Sequence, residues 1–216
     1  MNRELLDRWR CTWERTGLEH AGSDGHARAL DDLVDAYAAP PRAYHALDHV
    51  LECLDHLDGA PDAEVGSPQI RGEIELALWY HDAVYDSRAS DNEQRSADMA
   101  AAVLTPLDPG FAERVTALIL ATRHTDAPTS PPAALIVDVD LAILGAEADR
   151  FDAYERQIRE EYAWVADADF ARGRAAVFEQ FAARDRIYAT DHFHGRFETA
   201  ARTNLGHAIT AWRARG

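Results

Sequence analysis

Cysteine is scarce in this chain: Cys11 and Cys53 are the two in 216 residues. They form no CxxC pair and imply no disulfide framework, so a hydrophobic core must carry the fold, which a chain of this length can build unaided. Positive charge is also scarce, with 22 Lys plus Arg against 38 Asp plus Glu, a net charge of −16. Such a surface repels a phosphate backbone and excludes general binding to nucleic acid polymers. A small anionic substrate then needs a local cation, such as a metal, to reverse the field. No apolar run approaches the ~18 residues of a membrane span. The opening residues, MNRELLDRWRCTWERTG, mix charged with apolar positions and lack the continuous apolar stretch of a signal peptide. A reducing, cytoplasmic setting is expected. No segment alternates with period two between hairpin turns, which argues against a sheet.

Helical periodicity fills the chain instead. Leu5, Leu6, Trp9 and Trp13 share one face before Gly17, and Leu30, Leu33, Val34 and Tyr37 share another before Pro40-Pro41. A third helix is expected from about Tyr44 to Leu57, followed by a loop from Gly59 to Pro68. A fourth runs from about Ile70 to Val84. Ser90-x-x-Glu93 reads as a capping box for a fifth ending near Leu104, and Pro109 opens a sixth. The apolar segment Ala134 to Leu144 fits a strand or a helix by periodicity, and its end before Gly145 favours helix. Three more helices are expected at about Glu147 to Val165, Asp167 to Arg184 and Arg196 to Arg213. The fold class is therefore all-α: one helical domain over residues 1–216, with a core at about 42–145 and the helices of 147–214 packing on it.

Ten histidines are many for this length, and four short segments concentrate ligand chemistry. His45 and His49 stand four apart, as residues on one helix face do. His81-Asp82 lies near the end of an apolar helix, and His124 follows Leu120-Ala121-Thr122-Arg123. Asp138 and Asp140 interrupt an apolar run. Each has an ordinary explanation in isolation, as a solvated face or a satisfied core group. Carboxylates among Val, Leu and Ile are costly to bury unless paired or metal-bound. Together, neutral imidazoles and carboxylates from separate helices suit a mixed nitrogen and oxygen site for a divalent ion: Mn, Fe, Zn, Co, Ni or Mg.

These residues resemble the HD superfamily of metal-dependent phosphohydrolases, with its dispersed H…HD…D signature on a helical domain. Tyr44-His45-x-x-x-His49 is similar to the YHNxxHA segment of the 3′,5′-cyclic nucleotide phosphodiesterases. Ile119-Leu120-Ala121-Thr122 is similar to their ILATD segment, and Asp140-Leu141-Ala142-Ile143 to their CDLSAI segment. The motifs FHDxVYD, DNExxSA and DxDLxILG of a bacterial group of predicted HD phosphohydrolases appear as Tyr80-His81-Asp82-Ala83-Val84-Tyr85-Asp86, Asp91-Asn92-Glu93-Gln94-Arg95-Ser96-Ala97 and Asp138 to Gly145. The resemblance covers roughly residues 42 to 145. It implies His49, His81, Asp82 and Asp140 as metal ligands and His45 as the general acid at the leaving oxygen. Tyr85 stands where the phosphodiesterases place a further histidine that organises a second metal. The second histidine-rich motif of the cyclic-dinucleotide phosphodiesterases is also missing.

The expected activity is hydrolysis of a small phosphoester or nucleotide by a metal-activated water that Asp82 orients. His45, kept cationic by carboxylates such as Asp48 or Asp86, is expected to donate the proton. Arg42, Arg95 and Arg123 are candidates to pair with substrate phosphate, where a guanidinium fork suits two oxygens, or to form ordinary surface ion pairs. His124 is a candidate for substrate contact or support of the metal. Glu75, Asp86 and Asp138 are candidates to orient ligands. Trp79, Tyr80 and Tyr85 suit base stacking or plain packing. Two other functions stay open: a di-iron oxygenase on the same fold, with His124 as an extra ligand, or a non-catalytic ligand-binding module. The expected partner is a small phosphorylated substrate; the apolar faces of the last helices suit either a second copy, as a homodimer, or simply the core, and neither a membrane nor a nucleic acid polymer is expected.

Overall fold

A computed structural model describes residues 3–18 and 22–216. Those residues contain eleven α-helices, one 3-10 turn and no strand, and none of the helices is long and apolar enough to cross a membrane. The chain divides into two compact units, residues 1–39 with 45–137 and residues 40–44 with 138–216.

The first unit holds α1 (Arg3–Thr16), α2 (Gly22–Tyr37), α3 (Leu47–Asp58), α4 (Asp62–Val65), α5 (Pro68–Tyr80), α6 (Asn92–Leu104), α7 (Pro109–Ala121) and most of α8 (Pro131–Asp140). Its axis is α5, whose residues Gly72 to Tyr80 are all buried and which packs on α1, α3, α6 and α7. A helix apolar on every side is stable only when covered on every side. Ser67 opens it by accepting the Ile70 N–H at 3.3 Å, with Pro68 at the first position where no N–H is needed. Its two buried carboxylates are both paired: Glu73 with Arg114 at 2.8 Å, and Glu75 with Arg15 at 2.7 and 2.9 Å. Gly72 lets α5 approach α1, because a Cβ there would stand 3.0 Å from the Thr16 nitrogen. Trp9 meets Trp79 edge-on at 5.3 Å, and Trp79 donates its indole N–H to Thr12 at 3.2 Å.

The second unit holds the 3-10 turn Leu141–Gly145, α9 (Ala148–Glu161), α10 (Asp167–Ala182) and α11 (Asp191–Arg213). Asp138, fully buried, accepts the backbone N–H of Ala189 at 2.8 Å and of Thr190 at 2.7 Å, which fixes the chain where α11 begins. Burial raises this carboxyl above its usual range, and the two N–H donors only partly offset the rise. Gly145 meets α11 so closely that a Cβ would lie 2.6 Å from the Phe197 Cβ and 2.7 Å from its carbonyl oxygen. Gly145→Ala is therefore expected to cost about 2 kcal/mol through forced displacement of α11, read as a lower midpoint in urea unfolding. The half-buried Arg174 pairs with Glu155 at 2.6 Å and lies over the Phe178 ring at 4.2 Å.

Glu198 offers a second test in this unit. Burial raises its carboxyl, but hydrogen bonds from the Tyr188 N–H, Arg202 and the Ile187 N–H outweigh that and hold it below the usual range. A lowered folded-state value contributes stability above the unfolded glutamate range of about 4.3, and that contribution fades as pH falls through it. The stability gap between the wild type and Glu198→Gln, measured by thermal melts, is expected to be open at pH 7 and to narrow below about pH 4.

Several boundaries differ from the sequence expectation. Helix α3 starts at Leu47, not near Tyr44, because Glu161 accepts the N–H groups of Ala43 and Tyr44, each at 2.8 Å, and Gln157 donates to the Ala43 carbonyl. With those N–H groups committed, Ala46 is extended and His45 precedes the helix. The expected loop from Gly59 to Pro68 contains α4. Helix α5 ends at Tyr80 rather than Val84. No capping box forms at Ser90: α6 begins after Asp91, whose side chain makes no cap bond. Helix α11 starts at Asp191, five residues before Arg196, because Phe193 and Phe197, one turn apart, are both buried and carry the helix through Gly195.

Candidate metal centre

The centre is built where α5 stops. At its end His81 keeps helical dihedrals, and its Nδ1–H donates to the Leu78 carbonyl at 2.8 Å. A carbonyl only accepts, so Nδ1 carries a proton, and Nε2 points away from the helix. The chain after His81 is clamped by the start of α6. Ser96 Oγ accepts the Val84 N–H at 3.0 Å, while Asn92 accepts the Asp86 N–H and donates to its carbonyl, both at 3.0 Å. The segment from Asp91 to Ala97, singled out by the resemblance, thus holds the His81-Asp82 loop in shape. From the first turn of α3, the buried His49 faces the same point.

Three donor atoms converge there. His49 Nε2 and His81 Nε2 are 3.2 Å apart, and Asp82 Oδ2 is 3.1 Å from the His81 nitrogen and 3.7 Å from that of His49. Donor atoms bonded at about 2.1 Å to one ion stand about 3.0 Å apart at right-angled positions and about 3.4 Å apart at tetrahedral ones. The 3.1 and 3.2 Å sides match that spacing and the 3.7 Å side is slightly wider, so these residues fit a divalent ion. Burial on its own raises the Asp82 carboxyl, but the charges of His81, His45 and His49 and a hydrogen bond from His81 reverse this and hold it well below the usual range. It is an anion.

Cys53 lies beside this group, although neither its spacing nor the resemblance marks it as a ligand in the sequence. It is buried one turn beyond His49, with Sγ at 3.7 Å from His49 Nδ1 and 3.8 Å from Nε2. One ligand atom from each of His49, Cys53 and His81 falls within 4.8 Å of the others. His45 stacks on Tyr85, with ring centroids 4.0 Å apart and planes inclined by 25°, and its ring lies 6.2 Å from that of His49. It does so from the turn before α3, which corrects the expectation of a shared helix face.

The other expected residues are placed as follows. Glu75 is taken up by Arg15 and lies 3.5 Å from Arg71. Asp86 accepts the Arg88 N–H at 2.9 Å within its own turn. Arg95 is exposed on α6. The exposed Arg123 donates to Gln94 at 3.1 Å, and the half-buried His124 takes a left-handed backbone, φ +57°, just past α7. Asp138 serves the start of α11, as described. Arg42 and Asp140, both half-buried, belong to the second unit. Compared with models of protein families, with curated proteins and with solved structures, the chain matches none. An all-helical chain with buried His49, Cys53 and His81 grouped as a metal ion would need is compatible with an HD fold.

Proposed function

We propose that this chain is a metal-dependent phosphohydrolase of the HD type, acting on a small phosphoester or nucleotide. The observation that carries this reading is the convergence of His49 Nε2, His81 Nε2 and Asp82 Oδ2 at ligand spacing in a buried site. In this reading His49, His81 and Asp82 hold the ion. A divalent ion so held supplies an acidified water and polarisation of a phosphoryl oxygen. The anionic Asp82 orients the attacking water. His45, its ring fixed against Tyr85, donates a proton to the leaving oxygen, and Arg95 and Arg123, beside the metal motifs in the sequence, are the candidates to pair with phosphate oxygens.

The test is elemental analysis of the purified protein, followed by a screen of phosphoesters and nucleotides with the metal found. A bound divalent ion and metal-dependent turnover are expected. Absence of turnover with Mn, Fe, Co, Ni, Zn and Mg in turn would overturn the activity. Iron with an oxygen-dependent optical change would instead favour the oxygenase.

A further inference from the structure

The first unit carries a cavity of about 590 Å³ that the proposed chemistry does not use. Its walls come from α5, from α7 and from the chain that leads into α8. His45, His49, His81 and Asp82 are not among its lining residues. Glu73, which does line it, stands eight residues before His81, about 12 Å along the helix at 1.5 Å per residue. We infer that this cavity binds a small organic anion with an apolar body, such as a medium-chain carboxylate, with hydrocarbon against the walls and the carboxylate on Arg123. The site is separate from the metal centre, and it commits Arg123 to this cavity rather than to a substrate phosphate.

Size and walls point to the apolar body. Small-molecule sites enclose roughly 300–1,000 Å³ and are mostly apolar with a few placed polar groups. Ile70, Leu118, Pro128 and Pro132 present hydrocarbon here, which an apolar ligand would shield from water. The sign of the head group follows from which lining charges are already satisfied. Glu73 accepts from Arg114 Nε at 2.8 Å, and Arg114 gives a second N–H to the Gly110 carbonyl at 3.0 Å. Arg123 has only a neutral acceptor, the Gln94 side-chain oxygen at 3.1 Å, and forms no ion pair with a described residue. Acids outnumber bases 38 to 22 in this chain, so an arginine lacking a carboxylate is the exception, and its fork is open to one. The exposed Asp126, which accepts the Thr125 hydroxyl at 3.2 Å, carries no such signal, because an acid without a cation is ordinary at a net charge of −16. The start of α8 offers an anion little: Pro131 and Pro132 have no N–H, and Ser130 Oγ takes that of Ala133 at 3.3 Å.

Octanoate is the probe, with octanol, octylamine and acetate as comparisons, each titrated by calorimetry into the full chain. Octanoate is expected to bind at one equivalent and more tightly than octanol, while acetate and octylamine give no binding. Arg123→Ala is expected to weaken octanoate at least about 10-fold, the lower end for a hydrogen bond to a charged group, and to leave octanol unchanged. Arg123 is exposed, so its removal takes nothing from the core. Ala117→Trp, at an exposed lining position on α7, is expected to block octanoate and octanol alike with an unchanged thermal melt. Chelation of metal before titration is expected to leave octanoate affinity as it was; its loss would place the carboxylate on the ion and overturn the separate site. Equal octanoate affinity in Arg123→Ala, or preference for octylamine, would overturn the anionic class. Binding that survives Ala117→Trp, or no octanoate binding at millimolar concentration, would overturn the cavity as the site.

Discussion

Purified His81→Ala is expected to carry no stoichiometric divalent ion and to hydrolyse phosphoesters at background rate. His81 is 1% exposed, and its orientation is set by the Leu78 carbonyl before any ion arrives, so alanine there removes a donor already aimed at the site. Removing a supporting group of a metal site costs about 10–100-fold in affinity, and a direct ligand should cost no less. His45→Ala is expected to behave differently. Its ring stacks on Tyr85 and lies 6.2 Å from the His49 ring, so the ion should stay while turnover at saturating metal falls by about 10²–10⁴, the usual worth of a positioned proton donor. Elemental analysis beside steady-state kinetics separates the two effects. Equal metal loss in both variants would refute the proton-donor role of His45, and full metal content in His81→Ala would move the site elsewhere.

Asp138→Ala is expected to lower stability by about 3 kcal/mol while leaving metal content unchanged. The carboxylate is fully buried and accepts two backbone N–H groups at the entrance to α11, and losing two charge-assisted bonds at a buried site costs that order of free energy. For a chain of this size the melting temperature should fall by roughly 6–12 °C. Asp138→Asn keeps one acceptor oxygen and should recover part of the loss. A thermal melt together with metal analysis checks both halves. If the ion were lost with stability intact, Asp138 would be a metal-site residue rather than the anchor of α11.

The contrast between Asp138 and His81 shows where sequence reading reaches and where it stops. Asp138 stands out because a carboxylate among apolar residues needs a partner, and His81 because it adjoins Asp82 at the end of an apolar helix; neither local pattern says which partner. For Asp138 the partners are N–H groups more than fifty positions along the chain. Glu75 likewise was a candidate to orient a ligand, and its partner is Arg15, sixty residues away. Cys53 shows the reverse error: with no second cysteine nearby it carried no signal as a thiol pair, yet it packs on His49. Helix ends were misplaced for the same reason. The start of α3 depends on Glu161 taking the Ala43 and Tyr44 N–H groups, and the stop of α5 depends on His81 turning back to Leu78.

Local periodicity was enough to declare a helical protein, because apolar spacing and helix-stopping prolines act over a few residues and need no knowledge of distant chain. Short-range pattern also drew notice to the His45/His49 pair and the His81-Asp82 dipeptide, while the choice of His49, His81 and Asp82 as ligands came from the resemblance. Which donor atoms face one another was decided by tertiary packing alone. Ligand geometry is set in tenths of an ångström by side chains that meet across loops and helices, and hydrogen bonds between segments far apart in the chain choose that orientation.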